Sequence, residues 1–413
     1  MADVFPFRAI WFPTHTAGVA HWSSESVEPL SRFCTAGTAS QDNTPWPQES
    51  PDEKEGLFIY RQDFKTEAGL DKSRLGLIGL LDCAGDAKIY TTQDTEPFGV
   101  EACIEGITKT GVQESPVIAG VEDVHFELEK LLERGMASNR PPDVELEPSE
   151  GEHRIWKIED PTLIEDVRAF FRGKDCFLLD GLHTYRALRR LCDREGSGQE
   201  KGGPDAPAPL CPMTMFLNYL DFGVNFRGVS VLIKEMADFS INDLALRMNT
   251  LFDIKTYPFD GPSALPRALT DFREDLRVEG FTDRVVGGCF RGLDQFFLFT
   301  LRNDADAEKV FLPDVRGLAR GFDSTVLRRV ILERYIRPVE SGCESLEYTW
   351  SPEEAIAAVR AGKFQAAFLL NPPNKRKLLR LARDGLRLPP GAARLEPPVH
   401  KRLVMKKVSC GGV

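Results

Sequence analysis

Asp180, Gly181, His183 and Arg186 fall within seven residues of one another, in the stretch Phe177-Leu-Leu-Asp-Gly-Leu-His-Thr-Tyr-Arg-Ala-Leu188. An apolar run enters an Asp-Gly pair, and a helix-compatible series from Arg186 to Leu191 follows at once. The pattern reads as a buried strand, a Gly turn and a helix start. Such a junction leaves backbone N–H groups and the positive end of a helix dipole available to a phosphate. Gly181 permits a positive φ or a close backbone approach, and His183 and Arg186 bring side-chain donors. Asp180 could orient His183 or bind a metal that accompanies a nucleotide. A tight strand–helix turn whose His is only a capping residue explains the same residues, because one glycine is a weak phosphate signal.

The segment resembles Asp-Gly-His-His-Arg-Tyr-x-x-Ala, a signature of the domain of unknown function 1015 family. That signature is in turn similar to the Gly-x-His/Arg-Arg-x-x-Ala phosphate turn of the ParB/sulfiredoxin superfamily. Asp180, Gly181, His183 and Tyr185 match, whereas Leu182 replaces the first His and Thr184 replaces the Arg. Arg186 lies two residues further on, about 200° round a helix, and does not simply take over the missing position. The resemblance continues at both ends. Phe5–Phe12 is similar to the family's opening Pro-Phe-x-Ala-Ile-x-Pro strand, and Tyr60-Arg61-Gln62 precedes Leu75-Gly-Leu-Ile-Gly as Tyr-Arg-Gln precedes its next strand. Ala367-Phe-Leu-Leu-Asn-Pro372 and Leu388-Pro-Pro390 match its C-terminal motifs.

For activity, the resemblance implies ATP-dependent phosphorylation of a small hydroxyl compound, with free L-serine the best-placed substrate and Mg²⁺ as companion ion. In the family the natural base is the Glu of Lys-x-His-Glu-x-Thr-Arg. The corresponding segment here is Tyr90–Pro97, in which Thr95 is retained and Gln93 occupies the Glu position. Asp94 and Glu96 are the replacement candidates for a catalytic base. Pro97 and Gly99 read as an irregular segment, in which either acid could swing inward. Gly391-Ala392-Ala393 stands where the family has Lys-Ser-Thr. Three catalytic-looking places have thus drifted while structural Gly, Pro and core positions remain. Two readings stay open: a small-molecule kinase, and a catalytically silent nucleotide-binding or interaction protein on the same scaffold. A DNA-partition switch fits poorly, since no helix-turn-helix is evident.

The composition sets bounds. The chain has 413 residues, 42% of them hydrophobic and 28% charged, with a formal net charge of −11. This is an ordinary globular composition, and its acidity argues against extended binding to nucleic acid or an anionic membrane. Nine scattered cysteines without a C-x-x-C pair, and no secretory signal at the N-terminus, read as reduced thiols of a cytoplasmic protein. No metal-ligand spacing is visible around His125 or His153. Cys410-Gly-Gly-Val413 has the length of a prenylation tail but glycines in place of its aliphatic pair, and reads as a frayed terminus.

The elements that must position these residues follow from periodicity. Strands are expected at Leu57–Asp63, Leu75–Asp82, Ser115–Val121, Asp175–Asp180, Pro212–Phe226 and Gly228–Met236. Helices are expected at His125–Arg134, Pro161–Arg172 behind an Asp160 cap, Thr184–Glu195, Pro352–Ala361 behind Ser351, and Lys375–Arg383. Ser240 opens another capping box. Pro13–Gly56 and Gly196–Pro209 read as loops. The expected fold is α+β, with a ParB/sulfiredoxin-like mixed-sheet portion over residues 1–236 and a smaller C-terminal α/β portion over 237–413.

Overall fold

The computed structural model describes residues 3–11, 52–66, 69–82, 88–136, 140–146, 151–195, 210–236, 240–311, 315, 317–336 and 346–408. The Gly196–Pro209 loop, the Cys410–Val413 tail and all but the end of the Pro13–Gly56 loop lie outside these residues. The fold is α+β and contains two large sheets. In the nine-stranded sheet the strand order is Ile89–Thr91, Cys176–Asp180, Val117–Val121, Met213–Asn218, Asp71–Leu81, Leu57–Lys65, Glu152–Ile158 and Val144–Leu146, with Val4–Phe5 paired beside Asp71–Leu81. Two of its pairings are parallel, those joining Cys176–Asp180 to Ile89–Thr91 and Met213–Asn218 to Val117–Val121. The six-stranded sheet runs Phe252–Pro258, Gln295–Leu301, Arg284–Phe290, Ala366–Leu369, Ser230–Ile233 and Leu346–Thr349, and is antiparallel throughout. Ser230–Ile233 therefore pairs in this second sheet although it precedes residue 237.

Period-2 side-chain alternation gives both faces of the first sheet a core. Leu57 and Ile59 point, with Cys176 and Leu178, toward the helices Glu127–Met136 and Pro161–Phe171. Phe58 and Tyr60 point the other way, with Phe177 and Leu179, into a core shared with Val231, Phe299, Ile331 and Phe368 of the second unit. The outer face of the second sheet is covered by Gly261–Glu279 and Pro352–Arg360, through Phe272, Leu276, Ile356 and Val359.

Local signals account for most boundaries. Asp160 caps its helix by accepting from the Thr162 N–H at 2.9 Å, and Ser351 accepts from Glu354 N–H at 3.1 Å. The opening segment is two short strands, Val4–Phe5 and Ala9–Trp11, and not one. Pro6 between them has no N–H to offer a ladder. The expected Pro212–Phe226 strand also divides, because Gly223 N–H donates to Asp221 Oδ1 at 2.9 Å and turns the chain before Asn225–Arg227. The helix after Gly181 begins at Leu182, two residues earlier than its periodicity suggests. The largest correction concerns Pro97 and Gly99: the segment is no irregular loop but the helix Pro97–Thr110, with Pro97 in its first turn and Gly111 at φ 66° closing it.

Beyond residue 385 the chain returns to the first unit. Arg394–Glu396 pairs with Asn225–Arg227, and Val404–Lys407 lies between Ala9–Trp11 and Val112–Gln113. Between these strands the tail passes over a row of polar side chains on adjacent strands. Arg74 and His153 are the cross-strand partners of Gln62. The tail's Pro397 and Pro398 carbonyls accept from Arg74 and Gln62 at 2.6 and 3.3 Å.

Gly181, between strand Cys176–Asp180 and helix Leu182–Glu195, has φ 74°, and a Cβ there would lie 3.1 Å from Val117 Cα. Both the left-handed backbone and the contact resist a side chain. Gly181→Ala is expected to lower stability by about 1–3 kcal/mol, read as a shift in the urea midpoint. An unchanged midpoint would mean that the turn relaxes freely.

Candidate functional site

Helix Leu182–Glu195 presents Arg186, Arg189 and Arg190 along one face, at the i, i+3, i+4 spacing that places residues side by side. Strand Ile89–Thr91 forms the sheet edge beside them, where Tyr90 stacks on Phe177 with centroids 5.1 Å apart. The opposite wall is the end of helix Lys375–Arg383 and the residues after it, including Gly385 and Arg387. Together they enclose an open cleft of about 640 Å³ lined by four arginines and by Tyr90 and Tyr185. Arg383 fastens the far wall to the first unit: it pairs with Glu122 at 2.7 Å and lies 5.1 Å above the Phe177 ring.

The acids around the cleft are engaged. Asp94 lies 3.6 Å from Arg186 and 3.5 Å from Arg387, so one carboxylate bridges arginines from both walls. Glu101 pairs with Arg190 at 2.5 Å. Arg186 also donates to Thr95 Oγ1 at 2.5 Å. Burial, and then the nearby Arg387 charge, lower the Arg186 pKa, while Asp94 opposes them. A crowded set of cations partly removed from water favours an anionic ligand.

The expected turn residues divide. Asp180 accepts from Gly181 N–H at 2.7 Å, a bond within the turn itself. His183 turns away from the cleft toward Gly99 of helix Pro97–Thr110, where a Cβ on Gly99 would come within 2.7 Å of its ring. Burial lowers the His183 pKa, and Asp180 partly counters this. Thr184, which stands in the place of the family's Arg, lies by the Cys103 thiol of helix Pro97–Thr110, whose pKa burial raises and Thr184 partly lowers. Of the four expected ligands, Arg186 lines the cleft, and Asp180, Gly181 and His183 shape the turn behind it.

The two candidate bases also divide. Asp94 sits at the cleft, half exposed and paired with arginine. Glu96 is the N-cap residue of helix Pro97–Thr110, so its backbone belongs to that helix start and not to an irregular segment, while its side chain makes no capping bond. Gln93 is buried. Its Nε2 donates to Ala393 O at 2.9 Å, and its Oε1 accepts from Ala393 N–H at 3.3 Å. Two of the altered positions thus bond to each other: the amide in the place of a Glu meets the backbone of the Gly-Ala-Ala that replaces Lys-Ser-Thr. Leu388 continues this seam, donating to Thr92 O at 3.0 Å and accepting from Asp94 N–H at 2.8 Å.

Arg387 escaped the sequence reading, and the tail's return alone joins it to Arg186; Tyr90 stood at the head of the Tyr90–Pro97 segment without a role and reaches the cleft through the pairing of its strand with Cys176–Asp180. Arg189 and Arg190 lie within the helix-compatible series that follows the turn. Among the described residues no group of three or more His, Cys, Asp or Glu side chains is placed to hold a metal, and no helix is long and apolar enough to cross a membrane. The four arginines bring positive charge and N–H donors together on one cleft, which suits an anionic ligand.

A family model described as Protein of unknown function (DUF1015) matches residues 50–311. Among solved structures, a conserved hypothetical protein from Pyrococcus furiosus is 14% identical, with 76% of this chain and 90% of that one covered at a TM-score of 0.37. A free serine kinase in complex with AMP is 13% identical, with coverages of 75% and 83% and a TM-score of 0.36. SbnI with C-terminal truncation, from Staphylococcus aureus, is 9% identical, with coverages of 75% and 79% and a TM-score of 0.32. No curated protein sequence matches the chain.

The Gln93–Ala393 pair makes a specific demand on charge. In Gln93→Glu a buried carboxylate would face the Ala393 carbonyl with no proton to donate. The substitution is expected to cost about 2–4 kcal/mol in chemical denaturation at neutral pH. A stability equal to wild type would mean that the seam opens and accommodates the charge.

Proposed function

Because this chain belongs to the family described as Protein of unknown function (DUF1015), we propose that it binds a nucleotide, ATP or ADP, in the arginine-lined cleft and no longer transfers its phosphoryl group. The observation that carries this reading is the convergence of Arg186, Arg189, Arg190 and Arg387 on one cleft beside the Asp180–Arg186 turn. Arginine forks suit phosphate oxygens, and Tyr90 and Tyr185 offer apolar surface to a base. Mg²⁺, which the resemblance implies, would neutralise phosphate charge when bound. The chain's own residues would hold the phosphates between the two walls, with Asp94 giving up its arginine contacts as they enter.

The loss of transfer rests on Gln93. A neutral amide is far too weak a base to take a hydroxyl proton, and both of its polar atoms are already engaged by the Ala393 backbone. The second reading, ATP-dependent phosphorylation of a small hydroxyl such as that of L-serine, is favoured by the position of Asp94, a carboxylate 3.6 Å from Arg186 at the cleft. In that reading Asp94, or Glu96 beside it, is the base.

Titration calorimetry with ATP and ADP, paired with an assay for O-phosphoserine, separates these outcomes. The expected result is binding that weakens about tenfold to a hundredfold in Arg186→Ala, the loss of one charged hydrogen bond, with no phosphoserine formed. Absence of heat at millimolar nucleotide would end the binding claim. Robust phosphoserine formation that is lost in Asp94→Asn would establish the kinase reading instead.

A further inference from the structure

Helix Lys375–Arg383 is apolar on one side. Leu378, Leu379, Leu381 and Ala382 are buried, and the outward side exposes Arg376, Lys377, Arg380 and Arg383. Arg376, Arg380 and Arg383 follow one another at i, i+4 and i+7 spacing and so form a single stripe. From Lys375 to Arg387 the chain has six cations and one acid, Asp384. On other helices the exposed arginines have acids within one turn: Arg267 pairs with Asp271, Arg277 with Glu274 and Arg329 with Glu333. Arg376, Lys377 and Arg380 have no ion-pair partner among the described residues.

Helix stability opposes this arrangement. Arg376 and Lys377 stand in the first turn, at the positive end of the helix dipole, and no acid in that turn balances them. Arg376 and Arg380 are like charges one turn apart, which adds repulsion. Each end of the stripe leads to aromatic surface. Lys375 Nζ donates to the Asp221 and Val224 carbonyls at 2.9 and 2.8 Å, which ties the helix start to the turn that carries Phe222. The Phe222 ring is 81% exposed, and Lys72 donates to its carbonyl at 3.0 Å. At the other end the chain passes through Ala382 and Gly385 to Arg387, in the cleft that holds Tyr90 and Tyr185.

We propose that the exposed face of helix Lys375–Arg383 binds a single-stranded nucleic acid, laid along the stripe from the Phe222 turn toward the mouth of the cleft. Neighbours on a helix surface stand about 5–6 Å apart, close to the separation of successive phosphates in an extended strand. The helix is about 13 Å long, room for about three phosphates. Arginine forks suit phosphate oxygens, and exposed rings give unpaired bases a surface to stack on. An acidic peptide would meet the same cations, but flat rings at both ends of the stripe favour a ligand with flat bases. The formal net charge of −11 confines a polyanion to this face. Arg376, Lys377 and Arg380 do not line the cleft, so the proposal goes beyond the nucleotide reading and stands without it.

Fluorescence anisotropy of a labelled single-stranded RNA dodecamer with the full-length protein tests this. Binding is expected at low salt, with log K falling against log salt at a slope of about −2 to −3, the value for three or four phosphate contacts. Arg376→Glu combined with Arg380→Glu is expected to weaken binding about tenfold or more and to flatten the slope by about 1.4, the share of two contacts. The variant should fold as wild type does, since Glu suits a first helical turn. Reversing Arg267 and Lys309, exposed cations on other helices, makes the same change in net charge and is expected to leave binding intact. ADP calorimetry on the stripe variant separates this result from the cleft reading, because its affinity for ADP should match wild type. No binding of the dodecamer at low salt, or equal weakening by the two double reversals, overturns the proposal. So does an oligoglutamate of the same charge that competes as well as unlabelled RNA, which would assign the stripe to an acidic peptide.

Discussion

The pair of hydrogen bonds between the Gln93 side chain and the Ala393 backbone joins positions 300 residues apart, and the rest of the site depends on it. It fixes the returning tail against the edge of the first sheet, beside strand Ile89–Thr91. With the tail in place, Arg387 faces Arg186, and the cleft has two walls. The same tail then covers Arg74 and Gln62 with its carbonyls and reaches Val112–Gln113 as a strand. The bond is made by a neutral amide. A carboxylate at this position could not donate to Ala393 O, so the geometry that assembles the cleft opposes the charged base which the family resemblance would place there. Structural closure and the neutral side chain at position 93 thus go together.

Charge works locally against the overall balance. The chain carries a formal net charge of −11, yet the cleft gathers four arginines, with Asp94 and Glu101 as counter-ions. Side chains exposed to solvent gain little from such pairs, so Asp94 can exchange for a phosphate at small cost. The near wall is well packed. Strand Cys176–Asp180 is buried on both faces, and helices Pro97–Thr110 and Leu182–Glu195 pack through Val100, Ile104, Leu188 and Leu191. The His183 ring packs against Gly99 of helix Pro97–Thr110 and does not line the cleft.

The strand–Gly–helix unit was legible because its signals are local: an apolar run, a glycine that needs a positive φ, then helical periodicity. So was the α+β class. Helix Pro97–Thr110 was not read, since Pro97, Gly99 and Gly106 look like breakers. Val100, Ile104 and Ile107 carried the contrary signal at helical spacing, and Pro97 suits a first turn. The cleft was legible only in half. Arg186 could be read from its motif, but Arg387 enters through pairing between Gln93 and Leu388, which no local pattern records. Arg74 was hidden for a different reason. It lies on a strand near Asp71 and Lys72, where a charge looks like the solvated half of an alternation. Only the tail's return shows that it is buried.

The most direct test of a nucleotide held between the two walls is a crystal structure of the protein with ADP. The diphosphate is expected in the cleft, in contact with Arg186 and Arg387, with Asp94 displaced and the Gln93–Ala393 pair intact. A nucleotide bound elsewhere, or one whose phosphates displace Ala393 to reach Gln93, would contradict it.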